Sequence, residues 1–163
     1  MKKILLLAAA LSCLLALPLA AGHDKAEMDA MKAEFGKCLM CKNFVPVFDE
    51  LMPVMEHEIV KLDNGMAMVH TVKDPAKVKL LHEVNAKMQV SAGACMKLSD
   101  AEAKEQLCTL CQGVHGLAKA GAVVSSGTTK NGDMLVLTSS DPALQKQING
   151  FEAKCTTMMA ASH

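Results

Sequence analysis

The chain has 163 residues with 17 basic and 17 acidic side chains, 7 Cys, 13 Met and 4 Phe, and it lacks Trp and Tyr. Every basic residue is Lys, so the guanidinium that usually reads phosphates and base edges is missing, as are most of the rings on which bases or sugars stack. This argues against nucleic-acid binding and ring-stacked sugar binding, and with no Gly-rich phosphate loop the chain offers no nucleotide site.

Met1-Lys2-Lys3 leads into an apolar run over residues 4–19, broken by Ser12, Cys13 and Pro18, followed by small and polar residues through Ala20, Ala21 and Gly22. This is the three-part pattern of a secretory signal peptide, which is removed before folding. Residues 1–22 are read as that peptide, with cleavage after Gly22 or Ala21 and Cys13 discarded with it. The run is shorter than the about 20 residues that span a bilayer. The expectation is an exported protein, periplasmic or secreted and not membrane-spanning. Residues 23–163 then form a single domain in which 15 Lys face 17 acidic residues, a formal charge of −2. A new N-terminus at His23 offers an amine and an imidazole for Cu(II), or simply a polar tail.

Residues 24–41 favour helix, with Ala26, Met28, Met31, Phe35 and Cys38 on one side. A short second helix is expected over residues 45–55, with Pro46 in its first turn and Pro53 in its last, burying Phe44, Phe48, Leu51 and Met55. Residues 57–62 and 66–72 read as two strands joined through Asp63-Asn64-Gly65, because Asn-Gly tolerates the positive φ of a tight hairpin turn. Asp74-Pro75 caps a helix to about Met88, and residues 89–98 read as a connector. Ser99-Asp100-Ala101-Glu102 matches a capping box, starting a helix that would carry Cys108 and Cys111 in its interior. Strands follow over residues 122–129 and 134–139 around Asn131-Gly132, and Asp141-Pro142 caps a last helix burying Leu144, Ile148, Phe151 and Cys155.

The two halves repeat. Asn64-Gly65 matches Asn131-Gly132, Asp74-Pro75-Ala76 matches Asp141-Pro142-Ala143 at the same offset, and Cys38/Cys41 answers Cys108/Cys111 with a small gap. The predicted fold is therefore α+β: two helix-strand-strand-helix repeats, residues 24–88 and 99–157, forming a four-stranded antiparallel sheet packed against helices about an approximate two-fold axis.

The six cysteines beyond the leader are Cys38, Cys41, Cys95, Cys108, Cys111 and Cys155. An even count in an oxidising compartment favours disulfides, with all six as candidates and the pairing open. Spacing offers another reading. In a helix Cys108, Cys111 and His115 share a face, so two sulfurs and an imidazole would reach one soft or borderline metal, with Cys38 and Cys41 as a second pair. Met66, Met68 and His70 alternate onto one strand face and form a secondary candidate for Cu(I), or simply part of the core. Haem attachment is excluded because Lys42 and Gln112, not His, follow the two pairs. His57, His82 and His163 fall in no motif and are read as surface or strand-edge residues, and no carboxylate pair suggests acid–base chemistry.

Three functions follow. The first is an exported, non-enzymatic protein that handles, sequesters or senses a soft metal, copper before zinc, either alone or with a periplasmic protein partner. The second is a disulfide-stabilised interaction domain without metal. The third is a thiol-redox protein, disfavoured because a mid-helix cysteine lacks the dipole that activates such thiols.

Overall fold

Two hairpins build the sheet. β1 (Met55–Leu62) turns through Asp63 and Asn64 into β2 (Gly65–Val72), and β3 (Val123–Thr129) turns into β4 (Gly132–Thr138). All pairs are antiparallel and the strand order is β1-β2-β4-β3, so the returning strands of the hairpins meet at the centre. The register of the second hairpin is that of the first, shifted by the offset that relates Asn64 to Asn131. Across the centre Val72 N donates to Asn131 O at 2.9 Å, and Ser139 N to Asn64 O at 3.0 Å. Gly65 and Gly132 are required there, because a Cβ on either would overlap a backbone carbonyl of the facing strand, that of Leu137 or of His70.

This computed structural model describes residues 25–160. Residues 1–22, read as a signal peptide, the candidate His23 and the unassigned His163 lie outside them. Six helices accompany the sheet: α1 (Lys25–Lys37), α2 (Phe48–Leu51), α3 (Val78–Cys95), α4 (Asp100–Gln106), α5 (Thr109–Lys119) and α6 (Pro142–Ala160). The predicted α+β class is what forms. Among the described residues no helix is long and apolar enough to cross a membrane.

Strand alternation decides which face is buried. Met66, Met68 and His70 point to the same side as Leu137, Leu135 and Asp133, which sit directly opposite them. Met66 and Leu137 are completely buried and pack with Leu117, Leu144, Ile148 and Cys155, mostly from α5 and α6. A second cluster gathers Phe44, Phe48, Leu51, Val72, Leu81 and Val84 beneath α1. There Phe35, Phe44 and Phe48 meet edge to face with centroids 5.8 to 6.3 Å apart, the arrangement that ring quadrupoles favour. The third cluster is made of cysteines.

Several elements depart from the sequence reading. The second helix is a single α-turn, α2, between 3-10 turns at Val45–Val47 and Met52–Val54. Pro46 and Pro53 each sit in the first turn of one of them, where a missing N–H costs least, and Met55 begins β1 instead of ending a helix. α3 runs through the expected connector to Cys95, since Gly93 and its neighbours lower helix propensity without forbidding helix. The helix begun at Ser99 stops at Gln106: Leu107 and Cys108 are extended, and the Gln112 side chain donates to the Leu107 carbonyl at 2.8 Å. The chain then starts a new helix. Thus the cysteine-bearing segments differ, with 3-10 turns in the first half and two α-helices in the second, and the predicted two-fold relation does not extend to them.

Candidate metal centre

Cys38 and Cys41 flank the turn that leaves α1. Lys42 N donates to Cys38 O at 3.0 Å and Phe44 N to Cys41 O at 2.8 Å, winding the segment tightly enough to aim both sulfurs inward. Asn43 holds that turn in place, its side-chain amide donating to Met40 O and to Ser91 Oγ of α3, both at 2.9 Å. Cys108 occupies the N-cap of α5 with Cys111 one turn along. Two hydrogen bonds clamp the pairs together: Leu39 N to Gln106 O at 2.8 Å, and Thr109 N to a Glu34 carboxylate oxygen at 2.9 Å. Glu34 therefore satisfies an N–H of the first turn of α5 that Cys108 leaves uncapped.

The result is a quartet. The sulfurs of Cys38, Cys41, Cys108 and Cys111 all lie within 4.8 Å of one another, and all four residues are buried. Cys41 Sγ is 3.7 Å from Cys108 Sγ and 3.4 Å from Cys111 Sγ. A disulfide needs about 2.05 Å. Four sulfurs bound at about 2.3 Å around one tetrahedral ion stand about 3.8 Å apart along each edge. The observed spacing fits the second case, so the quartet is a set of donors that can hold a metal ion. All six cysteines are free, which corrects the expectation that they pair as disulfides. Cys95 packs against the quartet and Cys155 against the sheet core, where burial pushes both thiols up and each behaves as a small apolar side chain.

Electrostatics divide the quartet into two kinds of thiol. Cys38 is pushed well below the ordinary thiol value by hydrogen bonds from Cys108, then Cys111 and Cys41; Cys108 is also lowered, first through Cys111. Cys41 and Cys111 move the other way, each first through Cys108, because four buried sulfurs cannot all ionise beside one another. A cation removes that conflict. The position of Cys108 also overturns the mid-helix placement read from the sequence, for its sulfur stands at a helix N-terminus, where the dipole favours a thiolate.

His115 lies one turn beyond Cys111 and is buried, with Nε2 3.2 Å from the carbonyl oxygen of Leu98. It is not among the four residues whose donor atoms converge. Met66 and Met68 are core residues, and His70 pairs through Nδ1 with Asp133 Oδ1 at 2.8 Å. Glu34 and Asn43 gave no motif to find. Asp133 could have been anticipated, since joining the hairpins through their returning strands puts it opposite His70.

A cavity of about 860 Å³ lies between the cysteine cluster and the sheet. Cys41, Cys108 and Cys111 line it together with His57, His70 and Asp133, and eight methionines, Met68 among them, contribute to its wall.

Fold and site together define an α+β protein with a buried four-cysteine metal-type centre. Comparison with protein-family models, with curated proteins and with solved structures gives no match for this chain.

Proposed function

We propose that this chain is an exported, non-enzymatic protein that holds one metal ion on Cys38, Cys41, Cys108 and Cys111. The observation that carries the reading is the convergence of four buried sulfurs from segments far apart in the chain. Four converging thiol donors favour zinc over copper, reversing the order read from the spacing of cysteines alone, because Zn²⁺ takes four ligands whereas Cu(I) is satisfied by two or three soft ones. Four ligands leave no open position for substrate, which supports a binding or metal-handling role and not catalysis. Export rests on the pattern of residues 1–22.

A second reading draws support from Cys108 at the α5 N-terminus, a dithiol reacting through its lowered thiol. Native mass spectrometry of protein exported by its own leader, purified without reductant or chelator, separates the two. One bound ion with four unmodified cysteines is the expected result, and the leaderless mass reports cleavage. Metal-free protein with oxidised Cys38/Cys41 or Cys108/Cys111 would overturn the metal reading in favour of the dithiol.

A further inference from the structure

In the wall of the same cavity, three polar side chains stand in one row of the sheet: His57 on β1, His70 on β2 and Asp133 on β4, each directly opposite the next. The strand alternation that places them together also places Met68 two residues from His70 on the same face. All four line the cavity. Asp133 is a buried carboxylate whose Oδ1 lies 2.8 Å from His70 Nδ1. That contact fixes the tautomer with the proton on Nδ1, leaving the Nε2 lone pair as the ring's donor. A carboxylate on the far nitrogen is the usual support of a metal-binding histidine.

The His57 and His70 rings stand edge on with centroids 5.0 Å apart. Two imidazoles bound to one ion at about 2.0 Å, at trigonal to tetrahedral angles, have centroids roughly 5 Å apart. Imidazole with thioether is a donor set for Cu(I), and three ligands suffice for it.

We propose that His57, His70 and Met68 form a second metal site, selective for Cu(I), with Asp133 as the positioning residue for His70. The site shares no residue with the cysteine quartet, although residues of both line the same cavity. Its donor atoms are independent of whether the quartet holds an ion.

The test titrates the zinc-loaded chain anaerobically with Cu(I), under ascorbate, against a chromophoric Cu(I) competitor while released zinc is followed separately. One equivalent of copper is expected to bind with zinc retained, and its X-ray absorption spectrum should contain both nitrogen and sulfur neighbours. Met68→Leu, which keeps core volume, and His70→Ala should each weaken that equivalent at least tenfold, while zinc content and circular dichroism stay unchanged. Asp133→Asn should weaken it about 10–100-fold, the usual effect of losing a supporting partner. Uptake coupled one for one to zinc release, with sulfur-only neighbours, would overturn the second site while leaving the quartet reading intact. Uptake undiminished in His70→Ala would overturn it too. If the chain takes no zinc, the same titration of the metal-free protein still decides: a His70-dependent equivalent supports the second site although the quartet reading has failed.

Discussion

The cysteine cluster and the sheet core are both buried, yet they are built in opposite ways. The sheet core joins Met66, Met68 and Leu137 of the two hairpins to Leu144 and Ile148 of a long helix, so its cohesion comes from apolar area removed from water. The cysteine cluster draws on a tight turn, the end of one short helix and the start of another, and sulfurs 3.4 and 3.7 Å apart occupy its centre. Its aliphatic side chains include Leu107 and the half-buried Leu39, Leu98 and Leu110. The difference teaches that one chain contains a region that coheres by apolar burial and a region centred on four sulfur donors that can hold a metal ion.

Removing a ligand should break the cysteine side of that comparison most severely. Cys111→Ser is expected to lower metal affinity by more than the about 100-fold that losing a supporting group costs, and mild acid should release the ion from the parent chain because protons compete for thiolates. Hydrogen exchange would then show protection lost around Cys38, Cys41 and the start of α5, while β2 and β4 stay protected. Equal loss in the central strands would mean that the two regions form one cooperative unit and that the contrast is mistaken.

On the other side, Ile148→Ala removes a fully buried side chain from the sheet core. It should cost about 2–5 kcal/mol of unfolding free energy. Metal stoichiometry should be unchanged below the unfolding transition, as measured by denaturant melts beside metal analysis. A variant that folds but has lost its metal would show that the core positions the quartet through α5, where Gly113 lies so close to the Phe151 ring that a Cβ would overlap it.

His115→Ala sharpens the boundary between the two regions. The spacing of Cys108, Cys111 and His115 makes this residue a ligand candidate, whereas its Nε2 is satisfied by the Leu98 carbonyl. Loss of that hydrogen bond should cost about 1–3 kcal/mol of stability with metal affinity retained. A large drop in affinity with stability unchanged would restore His115 to the ligand set.

How much of this was legible follows from the range of the interactions involved. Turns and caps are local, so Asn64-Gly65, Asn131-Gly132, Asp74-Pro75 and the Ser99 box located the hairpins and helix starts within a residue or two. Cys38, Cys41, Cys108 and Cys111 stood out by spacing, but their convergence depends on Leu39 meeting Gln106 and Glu34 meeting Thr109. Those contacts cross the chain and carry no pattern along it. The break at Leu107 and Cys108 was hidden for a related reason: it contains neither Gly nor Pro, and the Gln112 side chain that closes it acts from the next helix. Met66 and Met68 could be read either as thioether ligands or as core, and only the facing Leu137 and Leu135 show how far into the core they reach.

The smallest effect is expected at the cap of α4, the element that leads the chain to Cys108. Ser99 Oγ accepts from Glu102 N, and the Glu102 carboxylate accepts from Ser99 N at 2.8 Å and from Ser99 Oγ at 2.7 Å. The side-chain hydrogen bond from Ser99 holds the Glu102 carboxyl below its ordinary value. A carboxylate lowered in the folded state contributes stability above its unfolded pKa and loses that contribution as the pH falls through the folded one. Ser99→Ala should cost about 1 kcal/mol near neutrality and less in acid, where protonated Glu102 no longer supports the reciprocal cap. Unfolding curves at both pH values check this. Because α4 places the Gln106 carbonyl that receives Leu39 N, metal affinity in the same variant reports whether a distant cap is felt at the quartet. An unchanged affinity would mean that the sulfurs hold the end of α4 more firmly than its own first turn does.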